Sequence, residues 1–343
     1  IKIWKLMFVL LVVGISGLST AYYLSKNGYN VCILEKDKLA RNTTGNTTAK
    51  ITSQHGLLYQ NLIHQYGIEK AQLYLDANES ALEEYKTLCQ TIPCDFEEKS
   101  SYVYSLTSKH LLEQELTSLS KLMFPAEYVS SLPLPINTKG AILFPSQAQF
   151  HPLKFLATIT KHLHIYEHTK VQELINTTAI TNYGKIITKN IIVATHFPFL
   201  NKHGSYFLKM YQHRSYVLAL EHTPLISNMY VDESEKGLSF RLYQNYLLLG
   251  GGSHRTGKKG GSYTELRNFA KKHYPNAKEI AHWATQDCMT LDNIPYIGRY
   301  SKHTPNLYVI TGFNKWGFTS ALVGSHIICD MLLEKQNPYT EVF

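Results

Sequence analysis

The stretch FVLLVVGISGLSTAYYLSKNGYNVCILE, residues 8–35, decides the fold. An apolar run at 8–13 leads into Gly14-Ile15-Ser16-Gly17, then a helical pattern that Gly28 ends. A second apolar run, Val31-Cys32-Ile33-Leu34, is closed by Glu35. Short continuous apolar runs bounded by turn residues suit strands buried on both faces. Strand, glycine turn, helix and a second strand ending in an acid make a dinucleotide-binding βαβ unit. In such a unit the free N–H groups and positive dipole end of the helix face a pyrophosphate. Gly14 lets the backbone approach phosphate, Ser16 sits in the opening turn, and Gly17 lets the helix pack closely on the strand. Glu35 has the separation from Gly14 of a carboxylate that binds ribose hydroxyls.

The full G-x-G-x-x-G is absent. Val12 stands where the first glycine belongs, followed by Val13. A β-branched residue resists that turn at a cost of about 1–3 kcal/mol, so weakened cofactor affinity is expected. Taken alone, G-x-x-G after an apolar run fits a ligand-free turn equally well. Lys2 and Lys5 ahead of the apolar residues also match the opening of a signal peptide, with Gly14, Ser16, Gly17, Ser19 and Ala21 as a small-residue cleavage region. The matched second strand favours the strand reading, because a removable leader has no reason to be followed by a βαβ partner.

A length of 343 residues suggests two domains. With 44% hydrophobic and 17% charged residues the chain reads as a well-cored globular protein rather than a disordered one. The net charge of +8 favours anionic partners in general. No basic stripe or nucleic-acid module is present, so nucleic acid is not expected as a partner; Arg255, Lys258 and Lys259 sit among glycines and read as a solvated hairpin. Five scattered cysteines without C-x-x-C spacing indicate neither a disulfide framework nor a metal site. Reduced thiols, a cytoplasmic location and no membrane association are the expectation. The sequons at Asn42, Asn46, Asn78 and Asn176 read as chance matches. Helices are expected within 57–89, 109–123 and 155–163, and strands at 96–106, 141–144, 170–175 and 191–194. Antiparallel strands are expected at 216–220, 238–242 and 246–250.

Other segments sharpen the reading. Thr43-Thr44-Gly45-Asn46-Thr47-Thr48-Ala49-Lys50-Ile51-Thr52-Ser53-Gln54-His55-Gly56 clusters hydroxyls that suit pyrophosphate and ribityl contacts. Thr290-Leu291-Asp292-Asn293-Ile294-Pro295-Tyr296-Ile297-Gly298 precedes Asn306-Leu307-Tyr308-Val309-Ile310-Thr311-Gly312-Phe313-Asn314-Lys315-Trp316-Gly317-Phe318-Thr319. The first segment resembles the loop after the second strand in the D-amino-acid oxidase, glycine oxidase and sarcosine oxidase (DAO) superfamily. The second pair resembles the closing segment of the same superfamily, where a strand and glycine turn pass the isoalloxazine ring into a final helix. Further similar pieces are residues 149–152, 194–196, 214–216, 239–241, 250–255 and 283–287. In this order they span nearly the whole chain. The sequence is most like bacterial FAD-dependent oxidoreductases whose longer members carry a C-terminal Rieske iron–sulfur domain. No Cys-x-His pair occurs here, so a Rieske cluster cannot be built from this sequence.

The resemblance implies an α/β protein in which a Rossmann-type FAD-binding domain is interleaved with an α+β substrate domain on a mainly antiparallel sheet. The expected division is 1–92 with 146–200 and 285–343 for FAD, and 93–145 with 201–284 for substrate. It implies oxidation of a C–N bond of an amine or amino acid by hydride transfer to FAD, with oxygen or a redox protein such as a Rieske domain as acceptor. The cofactor residues it implies are Gly14, Ser16, Gly17, Glu35, Lys36, Thr43, Thr44, Thr47, Thr48, Ala49, Val171, Ala194, Thr195 and Gly298, with Gly312, Asn314, Lys315, Trp316, Gly317, Phe318 and Thr319 from the closing turn. Thr319 stands where relatives place a flavin-contacting lysine, which leaves oxygen reactivity open. Lys315 is expected to supply positive potential at the ring. An amino-acid substrate needs a guanidinium for its carboxylate; Arg241 is the first choice, with Arg214 and Arg255 as alternatives. Tyr216 and His254 are expected to line the pocket. Trp283, Gln286 and Asp287 read equally as a domain-interface cluster. The competing reading, motivated by Val12 and Val13, is a non-enzymatic or flavin-deficient relative acting as a binding or assembly protein. An NAD-dependent dehydrogenase explains Glu35 but not the C-terminal glycine turn.

Overall fold

The computed structural model describes residues 2–12, 14–200 and 203–343, with side chains from residue 14 onward. Val13 and the side chain of Val12, where strain is expected, lie outside the described residues. The chain opens with β1 (Lys2–Val12), α1 (Ile15–Lys26), β2 (Val31–Leu34), β3 (Lys50–Ile51), α2 (Tyr59–Tyr66) and α3 (Ile68–Cys89). There follow β4 (Glu97–Tyr104), α4 (Lys109–Lys121), β5 (Glu127–Val129), β6 (Ala141–Gln149), α5 (Pro152–Ile159), β7 (His164–Tyr166), β8 (Val171–Ile175), β9 (Thr178–Thr181) and β10 (Gly184–Ala194). Then come α6 (Tyr206–Lys209), β11 (Met210–Glu221), β12 (Met229–Asp232), β13 (Ser239–Tyr243), β14 (Tyr246–Arg255) and α7 (Tyr263–His273). The last elements are β15 (Lys278–Thr290), β16 (Tyr296–Arg299), β17 (Leu307–Thr311) and α8 (Gly317–Leu332).

The first sheet has the order β16-β17-β10-β1-β2-β7. From β17 to β7 every pair is parallel, and β16 is antiparallel at the edge. β10 is long enough to take two partners on one side. Its residues 185–187 pair with β9 of the β8–β9 hairpin, and 191–193 pair with β17. The four residues of β2 are all buried, which is why they form an unbroken apolar run. Small residues Ser16, Gly17, Ser19, Thr20 and Ala21 are buried along α1 and let α8 lie close, with Thr20 Oγ1 3.0 Å from Ser325 Oγ. Leu18, Ile33, Leu82, Tyr85, Phe150 and Ile328 fill one core between these elements. Each such buried side chain contributes about 1.5–3 kcal/mol.

The second sheet has the order β15-β11-β14-β13-β12-β4-β6-β3, with β5 on β6. Only β12–β4 is parallel in it. A mainly antiparallel sheet beside a parallel one is the expected architecture. The expected cuts at 145/146 and 284/285 fall inside β6 and β15, because both strands continue in the second sheet. β15 is absent from the sequence reading. It is an edge strand whose first half is largely exposed, so no apolar alternation marks it. Among the described residues no helix is long and apolar enough to cross a membrane.

Candidate active site

Three cavities lie end to end, lined from both sheets. The first, about 770 Å³, is walled by Leu34 at the end of β2 and Lys36 beyond it, by Thr43, by Val171 of β8, and by Thr195 and Arg214. The second is a neck of about 60 Å³ at the start of α1, lined by Gly14, Ile15, Ser16, Thr44 and Ala194. The third, about 300 Å³, lies under β11, β13 and β14 and reaches Lys50, Asp287 and Trp316. Thr43 and His196 line both the first and second; Thr47, Asp287, Lys315 and Phe318 line both the second and third. One elongated path therefore runs from the carboxyl end of β2, across the start of α1, to the β17–α8 turn.

The neck is built for an anion. Gly14 is extended, a conformation open to any residue, so space and not backbone strain requires glycine: a Cβ there would lie 2.2 Å from Thr44 Oγ1. Thr44 Oγ1 accepts from the Ile15 amide at 3.1 Å. The first intrahelical bond runs from the Leu18 amide to Gly14 O at 3.2 Å, so the amides of Ser16 and Gly17 precede the ladder. No acidic residue occupies the first turn of α1. Free amides and the helix dipole favour a phosphate here.

Glu35 is fully buried. Its Oε1 accepts from the Asp37 amide at 2.8 Å, while Oε2 has no hydrogen-bond partner. Burial, the largest influence, raises its carboxyl above the usual range. An orphaned buried acceptor beside Leu34 and Lys36 suits a pair of ribose hydroxyls.

At the far end the chain is strained. Gly312, Asn314 and Lys315 have φ of 77°, 49° and 74°. Positive φ at the two non-glycine residues costs about 1–3 kcal/mol each. Asn314 offsets this by accepting from the Thr290 amide at 2.7 Å and donating to Gly312 O at 3.0 Å. The turn brings Lys315 and Trp316 into the third cavity. Trp316 stacks on His55, with ring centroids 5.3 Å apart. Both His55 nitrogens are engaged, Nδ1 with Tyr74 at 2.7 Å and Nε2 with Thr52 O at 2.8 Å. Burial pushes His55 down to about 3, so it is a neutral wall and not a proton carrier.

The orphaned Glu35 oxygen and the cradle that a Cβ at Gly14 would fill fit a dinucleotide cofactor, and comparison with known proteins says which. The family model described as FAD dependent oxidoreductase (DAO) matches residues 13–331. The chain belongs to this family. It is a flavoprotein oxidoreductase and its cofactor is FAD. It is 33% identical over 357 residues to the putative Rieske 2Fe-2S iron-sulfur protein YhfW of Bacillus subtilis, covering 96% of this chain and 69% of that protein. Glycine oxidase from Geobacillus kaustophilus has a similar fold, with TM-score 0.81, 17% identity, and coverage of 98% of this chain and 96% of that one. L-proline dehydrogenase from P. horikoshii superposes with TM-score 0.80 at 17% identity, covering 99% and 96%.

Most residues expected at the flavin line the path. Lys36, Val171 and Thr195 lie in the first cavity; Gly14, Ser16, Thr44, Ala194 and Gly317 in the neck; Thr48, Asn314 and Tyr216 in the third. Gly17, Glu35, Ala49, Gly298, Gly312 and Thr319 line none of them, Glu35 being buried between the lining residues Leu34 and Lys36. Thr319 Oγ1 is buried, donating to Thr52 O at 3.1 Å. Arg241, the first choice for a substrate carboxylate, is buried and does not line the third cavity; its Nη1 donates to Ala49 O at 3.0 Å, and its Nε has no hydrogen-bond partner. Arg214 lines the first cavity instead, and exposed Arg255 lies over the Tyr211 ring at 4.7 Å. His254 does not line the third cavity; its ring stacks on Tyr216. Trp283 and Gln286 tie β15 to the hydroxyl-rich loop, through Trp283 Nε1 to Asn46 O at 2.8 Å and Thr43 Oγ1 to Gln286 O at 2.9 Å.

Lys50 was not singled out in the sequence, although burial of its neighbour Ile51 in β3 sends it to the opposite face. Its Nζ donates to Thr48 Oγ1 at 3.1 Å within the third cavity. Burial first, and the charge of Arg241 second, push its ammonium down to about 7. A lowered lysine pKa gives stability that is full above the ordinary value of about 10.4 and is lost as pH falls through about 7. Lys50→Met is therefore expected to gain Tm over the unsubstituted protein by several degrees more at about pH 6 than at about pH 9. Thermal unfolding of both proteins checks this; an equal difference at the two pH values contradicts the burial of this ammonium.

Proposed function

We propose that the chain oxidises a C–N bond of an amine or amino acid, with FAD lying along the three cavities. The observation that carries this is the continuity of the path, from the end of β2 beside the buried Glu35, past an anion-ready helix start, to a walled chamber under the second sheet. Glu35 would hold the ribose, the amides of Ser16 and Gly17 the diphosphate, and the loop from Thr43 to Thr48 the ribityl chain. When bound, FAD supplies the acceptor for a hydride. The chain's own task is to present the substrate. The C–H bond beside nitrogen breaks with its electron pair going to the acceptor, the nitrogen lone pair closes a C=N bond, and an ammonium substrate first gives up one proton. Lys50, neutral above about 7, is the lining base suited to take that proton. Ser215, Tyr216 and Ser239 roof the chamber and Trp316 closes one wall.

In this reading the parallel sheet with α1 and α8 is the FAD-binding unit, and the antiparallel sheet is the substrate unit. The name of the Bacillus subtilis relative makes an iron–sulfur centre a fitting acceptor for the electrons, with oxygen as the other. Anaerobic mixing of the FAD-loaded protein with amines and amino acids tests the reading. Bleaching of the flavin's visible absorption by at least one of them is expected; a flavin reduced by dithionite but by none of them would overturn it.

A further inference from the structure

The charges around the third cavity differ from those an amino-acid substrate requires. No arginine lines it. Arg241 does not line it, its Nη1 donating to Ala49 O and its Nε left buried without a partner; Arg214 faces the first cavity, and Arg255 lies over Tyr211. The roof offers only neutral groups, from Ser215, Tyr216, Ser239, Ser253 and glycine backbone. Four carboxylates line the same chamber: Asp232, Glu233, Glu235 and Asp287. The basic side chains facing them are Lys50, whose ammonium burial pushes down to about 7, and Lys315, since His55 is neutral.

The four acids are not equivalent. Asp232 accepts from the Ser234 amide at 2.8 Å, and Glu233 accepts from Ser105 Oγ at 3.0 Å. Glu235 stands at the mouth with a side chain 65% exposed. Asp287 lies where the neck opens into the chamber, and its carboxylate makes no hydrogen bond or close ion pair among the described residues. Lys315 acts on it only through space, and burial lowers the pKa of the neighbouring His196. Burial raises the Asp287 carboxyl and lowers the Lys315 ammonium, whose Nζ donates to Glu235 O at 3.5 Å rather than to Asp287. Tyr216 and Trp316 add aromatic faces, which attract cations and not carboxylates.

We propose that the substrate is a cationic amine without a carboxylate, drawn in by Glu235 and neighbouring acids and held at its nitrogen end by Asp287. This rests on the reading that the third cavity receives the substrate. A carboxylate entering there would meet four acids and no guanidinium. An ammonium group would gain the charge-assisted partner that Asp287 lacks. The proton released before oxidation then passes to a base already in the chamber.

The experiment uses two probes of one shape and opposite charge, tert-butylammonium and pivalate. Neither carries hydrogen on the carbon next to its charged group, so neither can be oxidised there, and binding is read apart from turnover. Calorimetric titration of the FAD-loaded protein is expected to show tert-butylammonium binding at least about tenfold tighter than pivalate. Asp287→Asn is expected to abolish that preference with flavin still bound, and Asp287→Glu to restore part of it. Pivalate binding as tightly as the cation overturns the proposal whether or not any variant folds. So does an undiminished preference in Asp287→Asn, or no binding of either probe. Cation binding together with a panel that bleaches no flavin supports the cation site and strikes only the oxidation reading.

Discussion

Gly14→Ala is expected to leave the protein folded and to weaken FAD binding about 10–100-fold. The added Cβ would lie 2.2 Å from Thr44 Oγ1 and 3.3 Å from its Cβ, so Thr44 must move. Overpacking of this kind costs about 1–3 kcal/mol. Thr44 Oγ1 also holds the Ile15 amide at 3.1 Å, and a lost cap costs about 1 kcal/mol more. Part of this falls on the free protein. The rest falls on the complex, because the displaced hydroxyl enters the neck of about 60 Å³ through which the diphosphate must pass. A fluorescence titration with FAD measures the effect. Adding Thr44→Ala to the same chain removes the clashing oxygen and is expected to restore part of the affinity, a non-additive pair as contacting residues require. Unchanged FAD affinity in Gly14→Ala would show that the cofactor does not pass this point.

Glu35→Gln is expected to move two quantities in opposite directions. In the free protein the Glu35 carboxylate is buried with one oxygen unpaired and its pKa raised by desolvation. A raised carboxyl pKa gives stability that is full below the unfolded value of about 4.3 and is lost as pH rises through the folded value. At neutral pH the unsubstituted apoprotein carries that loss, and the glutamine variant does not. Its apoprotein is therefore expected to melt higher. With FAD, the variant lacks a charge-assisted bond to ribose worth about 1.5–3 kcal/mol, or about 10–150-fold in affinity. Calorimetric melting of the apoprotein and FAD titration check both halves. A variant that melts lower and binds FAD as before would make Glu35 a purely structural acid.

The opening βαβ unit was legible because parallel strands buried on both faces leave continuous apolar runs, as Val31-Cys32-Ile33-Leu34 does. The closing turn was legible through Gly312 and Asn314, residue types that tolerate positive φ. β15 left no such mark, since a solvated edge needs no alternation. Arg241 shows a different failure. Strand alternation places it on the same face of β13 as Ser239, which does line the third cavity. Two residues carry it about 6.6 Å further along the strand, and there the Ala49 carbonyl closes over it. A sequence gives the face of a side chain but not what a distant loop lays on top of it. Asp287 was noticed only as one of a cluster for the same reason: its lack of a partner is a property of the folded chamber.

Difference density from crystals of the protein soaked with FAD tests the central claim most directly. The account predicts the diphosphate within hydrogen-bonding distance of the Ser16 and Gly17 amides, adenosine ribose at Glu35, and the ring in the chamber of Lys50 and Trp316. Density for the diphosphate elsewhere, or residues 12 and 13 filling the space in front of α1, would contradict it.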